Sequence, residues 1–315
     1  MGKVKRIIFM GTPEFAAYSL GILIEHKFNI VGVITAPDRQ AGRGRKLRES
    51  AVKALAKEHG LKILQPTNLK DLQFLDDLRG LQADLQIVVA FRMLPKAVWD
   101  MPSIGTINLH ASLLPDYRGA APINWAIING EKKSGVTTFF INEKIDTGSI
   151  ILKEEVEIGE DTSAGDLHDE LMVLGSRAII NTVELLESNN YELLEQPLAE
   201  TKSAPKLNKE NCKIDWNDSL SNIFNKIRGL SPYPGAWTEL YNNKTRIELK
   251  IIKAKKEVEI HDWESGKVLF TKKEIRIAVN GGYINVLKLK LSGKRTLDSQ
   301  NLLNGYTFSK DSKVL

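Results

Sequence analysis

The chain reads as an α/β protein with a doubly wound parallel sheet, followed by a second, smaller β-barrel domain. Three observations predict this. Through the first 190 residues, short apolar runs alternate with helix-type segments, the rhythm of β-α-β units. Beyond about residue 208 the apolar runs become short and strand-like and are separated by turns such as Asn280-Gly281-Gly282. A length of 315 residues also exceeds the usual single domain, so two are expected.

Residues 4–10 form an apolar run that ends at Gly11-Thr12-Pro13-Glu14. There Thr12 suits a helix N-cap, Pro13 the first helical position and Glu14 the positive end of the helix dipole. Residues 30–35 read as the next strand, 50–59 as a helix closed by Gly60, and 61–64 as a strand. Residues 83–90, with Ile87-Val88-Val89 at the centre, read as a fully buried strand, and 104–110 as another. Residues 120–128 read as a packed helix, and 135–142 and 149–158 as strands flanking a turn at Asp146. A long helix is expected from Asp161-Thr162-Ser163 to about Glu187, ended by Ser188-Asn189-Asn190. Residues 191–207 are polar, contain Pro197 and Pro205, and read as an interdomain linker. The expected division is a catalytic domain over 1–190, a linker over 191–207 and a C-terminal domain over 208–315.

Composition excludes several classes. Hydrophobic residues make up 42% and charged residues 26%, ordinary for a globular protein. The single cysteine, Cys212, rules out an intramolecular disulfide and a cysteine zinc site, and suits a reducing, cytoplasmic compartment. The five histidines are not spaced as metal ligands, so no metal is expected. No apolar run is long enough to span a bilayer, and the N-terminal apolar run is too short for a signal-peptide core. Gly11-Thr12-Pro13 is not the glycine fingerprint of a dinucleotide site. Residues 1–205 carry 23 Lys+Arg against 27 Asp+Glu, a net of −4, whereas residues 206–315 carry 21 against 12, a net of +9. A basic C-terminal domain suggests a polyanionic partner, although a lysine-rich solvated surface has the same composition.

The most informative stretch is Asn108-Leu109-His110-Ala111-Ser112-Leu113-Leu114-Pro115-Asp116-Tyr117-Arg118-Gly119. On a strand, Asn108 and His110 leave the same face. An amide and an imidazole therefore converge where a strand ends, and open α/β sheets bind ligands at strand carboxyl ends. With the carboxylate of Asp146-Thr147-Gly148, such residues suit hydrogen bonding to a carbonyl, proton transfer and orientation of the imidazole. Taken singly, an Asn, a His and an Asp more often serve turns, caps and surfaces.

The longer string decides between these. It resembles the folate-dependent formyltransferases, in which Asn-x-His, Ser-Leu-Leu-Pro and a later Asp-x-Gly mark the active site; here they stand as Asn108-Leu109-His110, Ser112-Leu113-Leu114-Pro115 and Asp146-Thr147-Gly148. The resemblance implies a formyl-binding, Rossmann-like domain followed by an OB-like one. It also implies Asn108, His110 and Asp146 as catalytic residues, and Phe91, Arg92, Leu94, Ser112, Leu113, Leu114 and Pro115 as folate-binding. The segment Ala90-Phe91-Arg92-Met93-Leu94-Pro95 departs from the aromatic-Gly version of many members. It is similar to the pocket-lining segment of the glycinamide ribonucleotide branch.

Pro37 to Arg48 is a glycine-punctuated basic loop with Arg39, Arg43, Arg45, Lys46 and Arg48. Its chemistry suits phosphate contact by arginine forks and exposed N–H groups, and equally a solvated, mobile loop. It looks like the tRNA-contacting loop of the methionyl-tRNA branch of the family, as do Arg118-Gly119-Ala120-Ala121-Pro122-Ile123 and Arg228 to Trp237. The resemblance thus covers nearly the whole chain. It implies 10-formyltetrahydrofolate as formyl donor and initiator methionyl-tRNA as acceptor; Lys255 and Lys256 of the basic C-terminal domain are expected as more distant phosphate contacts, and a monomer is expected. Two alternatives stand beside it: formyl transfer to a small amine such as a nucleotide-linked amino sugar, and a non-enzymatic RNA-binding module. The basic loop and second domain disfavour the former, and the intact Asn-His-Asp set disfavours the latter.

Overall fold

The computed structural model describes residues 4–41, 46–197 and 202–315. The chain divides into two compact units that are not consecutive in sequence. The first takes in Met1–Gly119, Ser134–Val156 and Asp169–Ser203; the second takes in Ala120–Lys133, Glu157–His168 and Ala204–Leu315.

In chain order the elements up to the site are β1 (Ile7–Gly11), α1 (Glu14–Glu25), β2 (Ile30–Ile34), β3 (Arg39–Ala41), β4 (Lys46–Arg48), α2 (Ala51–Glu58), β5 (Ile63–Leu64), α3 (Leu72–Gly80), β6 (Leu85–Val89), α4 (Lys96–Trp99), β7 (Gly105–His110) and β8 (Arg118–Gly119). Then come α5 (Pro122–Ile128), β9 (Lys133–Phe140), β10 (Ile150–Glu157), α6 (Ala164–Ser188) and β11 (Ser203–Ala204). The first unit is built on a seven-stranded sheet of order β10-β9-β7-β6-β1-β2-β5. Strands β7, β6, β1, β2 and β5 are mutually parallel, and β9 returns antiparallel to β7. The order reverses at β1, so a crevice opens beyond the carboxyl ends of β1 and β6, where doubly wound sheets hold ligands.

Strand β6 is buried along its whole length, as its apolar run predicts. Register aligns Ile34, Met10 and Val88 with Asn108 across four strands. The three apolar members of that row belong to one core cluster with Phe74 and Leu78 of α3 and Val98 of α4. Asn108 is therefore the one polar member of an otherwise apolar row that continues to Phe139 on β9. Helix caps follow local chemistry: Ser50 accepts from the Lys53 N–H at 3.0 Å at the start of α2. The expected Thr12 cap is not made. Helix α1 begins one residue later, at Glu14, with Pro13 in the capping position and its carbonyl accepting from the N–H groups of Ala16 and Ala17.

The basic segment is not simply a loop. Residues 39–41 and 46–48 pair antiparallel as a hairpin, with Arg39 opposite Arg48. Its base is pinned through Asp38, which accepts from Lys53 Nζ at 2.6 Å and Gln65 Nε2 at 2.9 Å; the Lys53 bond comes first in holding this carboxyl below the usual range. Arg43 and Arg45 lie outside the described residues.

The remaining elements are α7 (Leu220–Gly229), β12 (Ala236–Asn242), β13 (Thr245–Val258), β14 (Val268–Phe270), β15 (Ile275–Val279), β16 (Gly282–Leu291), β17 (Leu297–Asp298), α8 (Ser299–Leu303) and β18 (Lys313–Val314). In the second unit the sheet order is β14-β15-β16-β13-β12-β18, with β17 added to β16. A bridge between Lys267 and Lys313 brings the two ends of that order together, with Val268 N–H donating to Ser312 O at 3.0 Å and Val314 N–H to Gly266 O at 2.8 Å. Gly266 sits at φ +86°, and a Cβ there would lie 2.6 Å from Val314 O, so closure at this point requires glycine. The sheet is a nearly closed antiparallel barrel, as expected. Helix α7 was not anticipated, although Leu220, Ile223, Phe224 and Ile227 follow i, i+3, i+4, i+7 behind a Ser219 N-cap.

Candidate active site

The three candidate catalytic residues come together in the first unit. Asn108 and His110 lie on β7 opposite Phe139 and Thr137 of β9, and Asp146 lies in the turn between β9 and β10. His110 Nδ1 stands 3.8 Å from Asp146 Oδ2, with both side chains largely buried, 8% and 15% exposed.

The imidazole is held from its other side. His110 Nε2 lies 2.9 Å from Tyr117 O. A carbonyl only accepts, so Nε2 carries the hydrogen and Nδ1 of the neutral ring presents a lone pair on the Asp146 side. The Tyr117 carbonyl, rather than Asp146, selects the tautomer. Asp146 is left to face a proton on Nδ1. The half-buried Asn108 carboxamide makes no side-chain hydrogen bond among the described residues, so its N–H is available to a ligand.

The loop behind β7 is a hydrogen-bonded frame. Ser112 Oγ donates to Asp116 O at 2.7 Å, Thr137 Oγ1 donates to Ser112 O at 2.7 Å, and Leu114 N–H donates to Thr137 Oγ1 at 3.1 Å. Ser112 and Leu114 are fully buried, and Leu114 packs with Phe139 and Ile150. These two shape the site from beneath, whereas Leu113 and Pro115 are half-buried.

Asp146 occupies the left-handed region at φ +53°. Its turn is tied on every side: Gly119 N–H donates to Asp146 Oδ2 at 3.0 Å, and Arg118 Nε donates to Asp146 O at 3.1 Å. Gln196 Nε2 donates to Asp146 O at 3.1 Å and to Gly148 O at 2.8 Å. Gly148 is itself pressed on β9: a Cβ there would lie 1.6 Å from Phe140 O. Sequence reasoning missed Gln196, because it sits 50 residues from Asp146 in a segment with no local pattern.

At the end of β6, Phe91 packs partly on the α3–α4 cluster, and Leu94 is a member of that cluster. Arg92 is exposed, yet its guanidinium donates to the carbonyls of Pro66 and, at 2.9 Å, Thr67, and lies 5.6 Å from the Phe91 ring. Burial first, and then the charge of Arg39, pull this guanidinium below its ordinary pKa. Of the basic candidates, Arg39 and Arg48 are exposed in the hairpin of the first unit, and Lys46 lies on its second strand. Lys255 and Lys256 are exposed on β13 of the second unit, with Lys256 Nζ 5.6 Å from the Phe224 ring. No group of three or more His, Cys, Asp or Glu able to hold a metal occurs among the described residues. No described helix is long and apolar enough to cross a membrane.

An amide and an imidazole backed by a carboxylate thus stand together at the end of β7 in the first unit. The chain matches the family described as "Formyl transferase" over residues 5–183 and "Formyl transferase, C-terminal domain" over 206–307. It is 56% identical over 310 residues to a methionyl-tRNA formyltransferase of Flavobacterium johnsoniae, covering 98% of each chain. It is 47% identical to one of Bacteroides fragilis over 315 residues, covering 98% of this chain and 97% of that one. An N-formyltransferase from Helicobacter canadensis, solved with folinic acid and dTDP-3-aminofucose, shares the fold at TM-score 0.66 and 22% identity, covering 90% of this chain and 98% of that one. The chain belongs to the methionyl-tRNA formyltransferase family.

Proposed function

We propose that the protein transfers the formyl group of 10-formyltetrahydrofolate to the amino group of methionyl initiator tRNA, with Asn108, His110 and Asp146 as its catalytic residues. Full-length similarity to proteins of that name supports the acceptor. The observation that carries the chemistry is the lone pair of His110 Nδ1 turned toward the Asp146 carboxylate, with an uncommitted amide at Asn108.

The reaction is aminolysis of a formamide. The neutral methionyl amine attacks the formyl carbon, a C–N bond forms, and the carbonyl oxygen becomes an oxyanion. The Asn108 N–H donates to that oxygen. In the neutral ring Nδ1 is an acceptor, so His110 takes the proton that the amine loses, and Asp146 stabilises the imidazolium. The same proton goes to the folate N10 as the bond from that nitrogen to the formyl carbon breaks and the carbonyl re-forms. In this division of labour the first unit, with Asn108, His110 and Asp146, carries the chemistry, and residues 208–315 of the second unit hold tRNA. Phe91, Arg92, Leu94 and residues 112–115 line or support the folate site. Arg39, Arg43, Arg45, Lys46 and Arg48 meet the acceptor end of the tRNA, and Lys255 and Lys256 meet more distant phosphates.

The test is incubation of the protein with 10-formyltetrahydrofolate and either charged initiator tRNA or a dTDP-linked amino sugar. N-formylmethionyl-tRNA in the reaction with charged tRNA is the expected product. Formylation of the sugar alone would replace the acceptor and leave the chemistry standing.

A further inference from the structure

We propose that Gln196 is a positioning residue for the formyl transfer, acting through Asp146 from within the segment that otherwise reads as a linker. This rests on the catalytic assignment of Asp146 made above.

The segment before residue 198 lies along the edge of the catalytic sheet. Leu194 and Ile150 form an antiparallel bridge through two backbone hydrogen bonds of 3.0 and 2.9 Å. Ser149 Oγ donates to Glu195 Oε1 at 2.6 Å. Two residues beyond the bridge, the Gln196 side chain turns inward and is buried, with 8% exposure. Its amide nitrogen donates to the carbonyls of Asp146 and Gly148, spanning Thr147. Its oxygen accepts from Arg118 Nη2 at 2.6 Å and from Nε at 3.1 Å. Arg118 Nε also donates to Asp146 O at 3.1 Å. Gln196 and Arg118 thus grip one carbonyl from two sides and hold each other in place.

Asp146 needs such a grip. A non-glycine residue at φ +53° is held in a sparsely populated conformation that persists only where its surroundings over-determine it. The carboxylate stands 3.8 Å from His110 Nδ1, beyond hydrogen-bond length, so nothing in that contact itself fixes the distance. The distance is set by the backbone of the turn. Its anchors are Gly119 on the carboxylate and Gln196 with Arg118 on the carbonyls. Glutamine suits the place because one carboxamide both accepts from a guanidinium and donates to two carbonyls. Glutamate keeps the first bond and loses the second; methionine keeps the volume and loses both.

The test is single-turnover formyl transfer with enzyme in excess, for Gln196→Met, Gln196→Glu, Asp146→Ala and the Gln196→Met/Asp146→Ala double variant, alongside steady-state KM values and thermal melting. Gln196→Met is expected to slow transfer about tenfold or more with both KM values within about twofold of wild type, since misplacement of a catalytic group by a fraction of an ångström acts on the chemical step. Gln196→Glu is expected to be equally slow, because the amide donor is the part that matters. In the Asp146→Ala background Gln196→Met should cost nothing further, as residues acting through one another are non-additive. Wild-type turnover in folded Gln196→Met, or an equal further loss in the Asp146→Ala background, would overturn the positioning role. Wild-type turnover in Asp146→Ala would instead remove the catalytic assignment and the positioning role with it.

Discussion

His110 and Tyr117 are joined side chain to backbone, Nε2 to carbonyl oxygen at 2.9 Å, and this bond decides which nitrogen of the neutral imidazole carries the hydrogen. Nδ1 is left with its lone pair facing Asp146, so the ring accepts a proton at the position where a carboxylate can stabilise it. The tautomer is set by a residue only seven positions downstream, through a turn in which Tyr117 itself takes φ +61°.

Removing any of the three groups proposed as catalytic should lower kcat by on the order of a hundredfold or more, as the loss of an oxyanion donor or a general base does. Asn108→Ala, His110→Ala and Asp146→Ala should bind tRNA about as well as wild type. Steady-state kinetics and filter binding on the same preparations check both halves. Turnover near normal in His110→Ala is the outcome that removes the assignment.

Arg92 should act on the formyl donor rather than on tRNA. Its guanidinium braces the end of β6 against the carbonyls of Pro66 and Thr67. Lysine has no planar fork to span two carbonyls, so Arg92→Lys and Arg92→Ala should both raise KM for the folate. We expect an increase of roughly tenfold, the scale of one charge-assisted hydrogen bond. A larger rise in KM for tRNA would move this segment to the acceptor side.

The basic hairpin and the barrel lysines should separate kinetically. Arg39 and Arg48 stand opposite each other, and a directly opposed like-charged pair is relieved by an anion such as a phosphate. Arg43 is flanked in sequence by Gly42 and Gly44. Arg43→Ala is expected to raise KM for charged tRNA and lower kcat, because alignment of the amine is lost along with a phosphate contact. Lys255→Ala should weaken binding and reduce the salt slope by about 1, with kcat unchanged. A salt series on both variants checks this; wild-type behaviour of Arg43→Ala at every salt concentration would leave the hairpin a solvated surface.

The start of α6 should carry a pH-dependent part of the stability. The Ser163 hydroxyl and N–H both donate to Asp166 Oδ2, at 2.6 and 2.9 Å, and together they hold this carboxyl below its ordinary range. A carboxylate depressed in the folded state contributes stability in full above its unfolded value of about 3.9, and loses it as pH falls through the folded value. Asp166→Ala should therefore destabilise at pH 7 by on the order of 1 kcal/mol, the size of a lost helix cap. The difference from wild type should shrink below about pH 4. Urea titrations at pH 7 and pH 3.5 test this, and a difference independent of pH would contradict it.

The sequence by itself determined which residues sit at the end of β7 and that Asn108 and His110 share a face. A period of two and an apolar run are local properties, and local properties are written in neighbouring residues. It also determined the parallel sheet, since the apolar, β-branched run of β6 is too short for a core helix and reads as a strand buried on both faces. Helix α7 was legible through its Ser219 cap and spaced apolar residues, yet a β-rich surrounding pattern masked it. Tertiary structure alone decided the rest. Closure of the barrel depends on Gly266 meeting Val314, the imidazole tautomer on where the Tyr117 carbonyl points, and the grip on Asp146 on Gln196 arriving from 50 residues away. Each depends on where a backbone group points once the chain has folded. Every residue carries the same N–H and C=O, so nothing in the side-chain sequence says which of them will meet until the chain has folded.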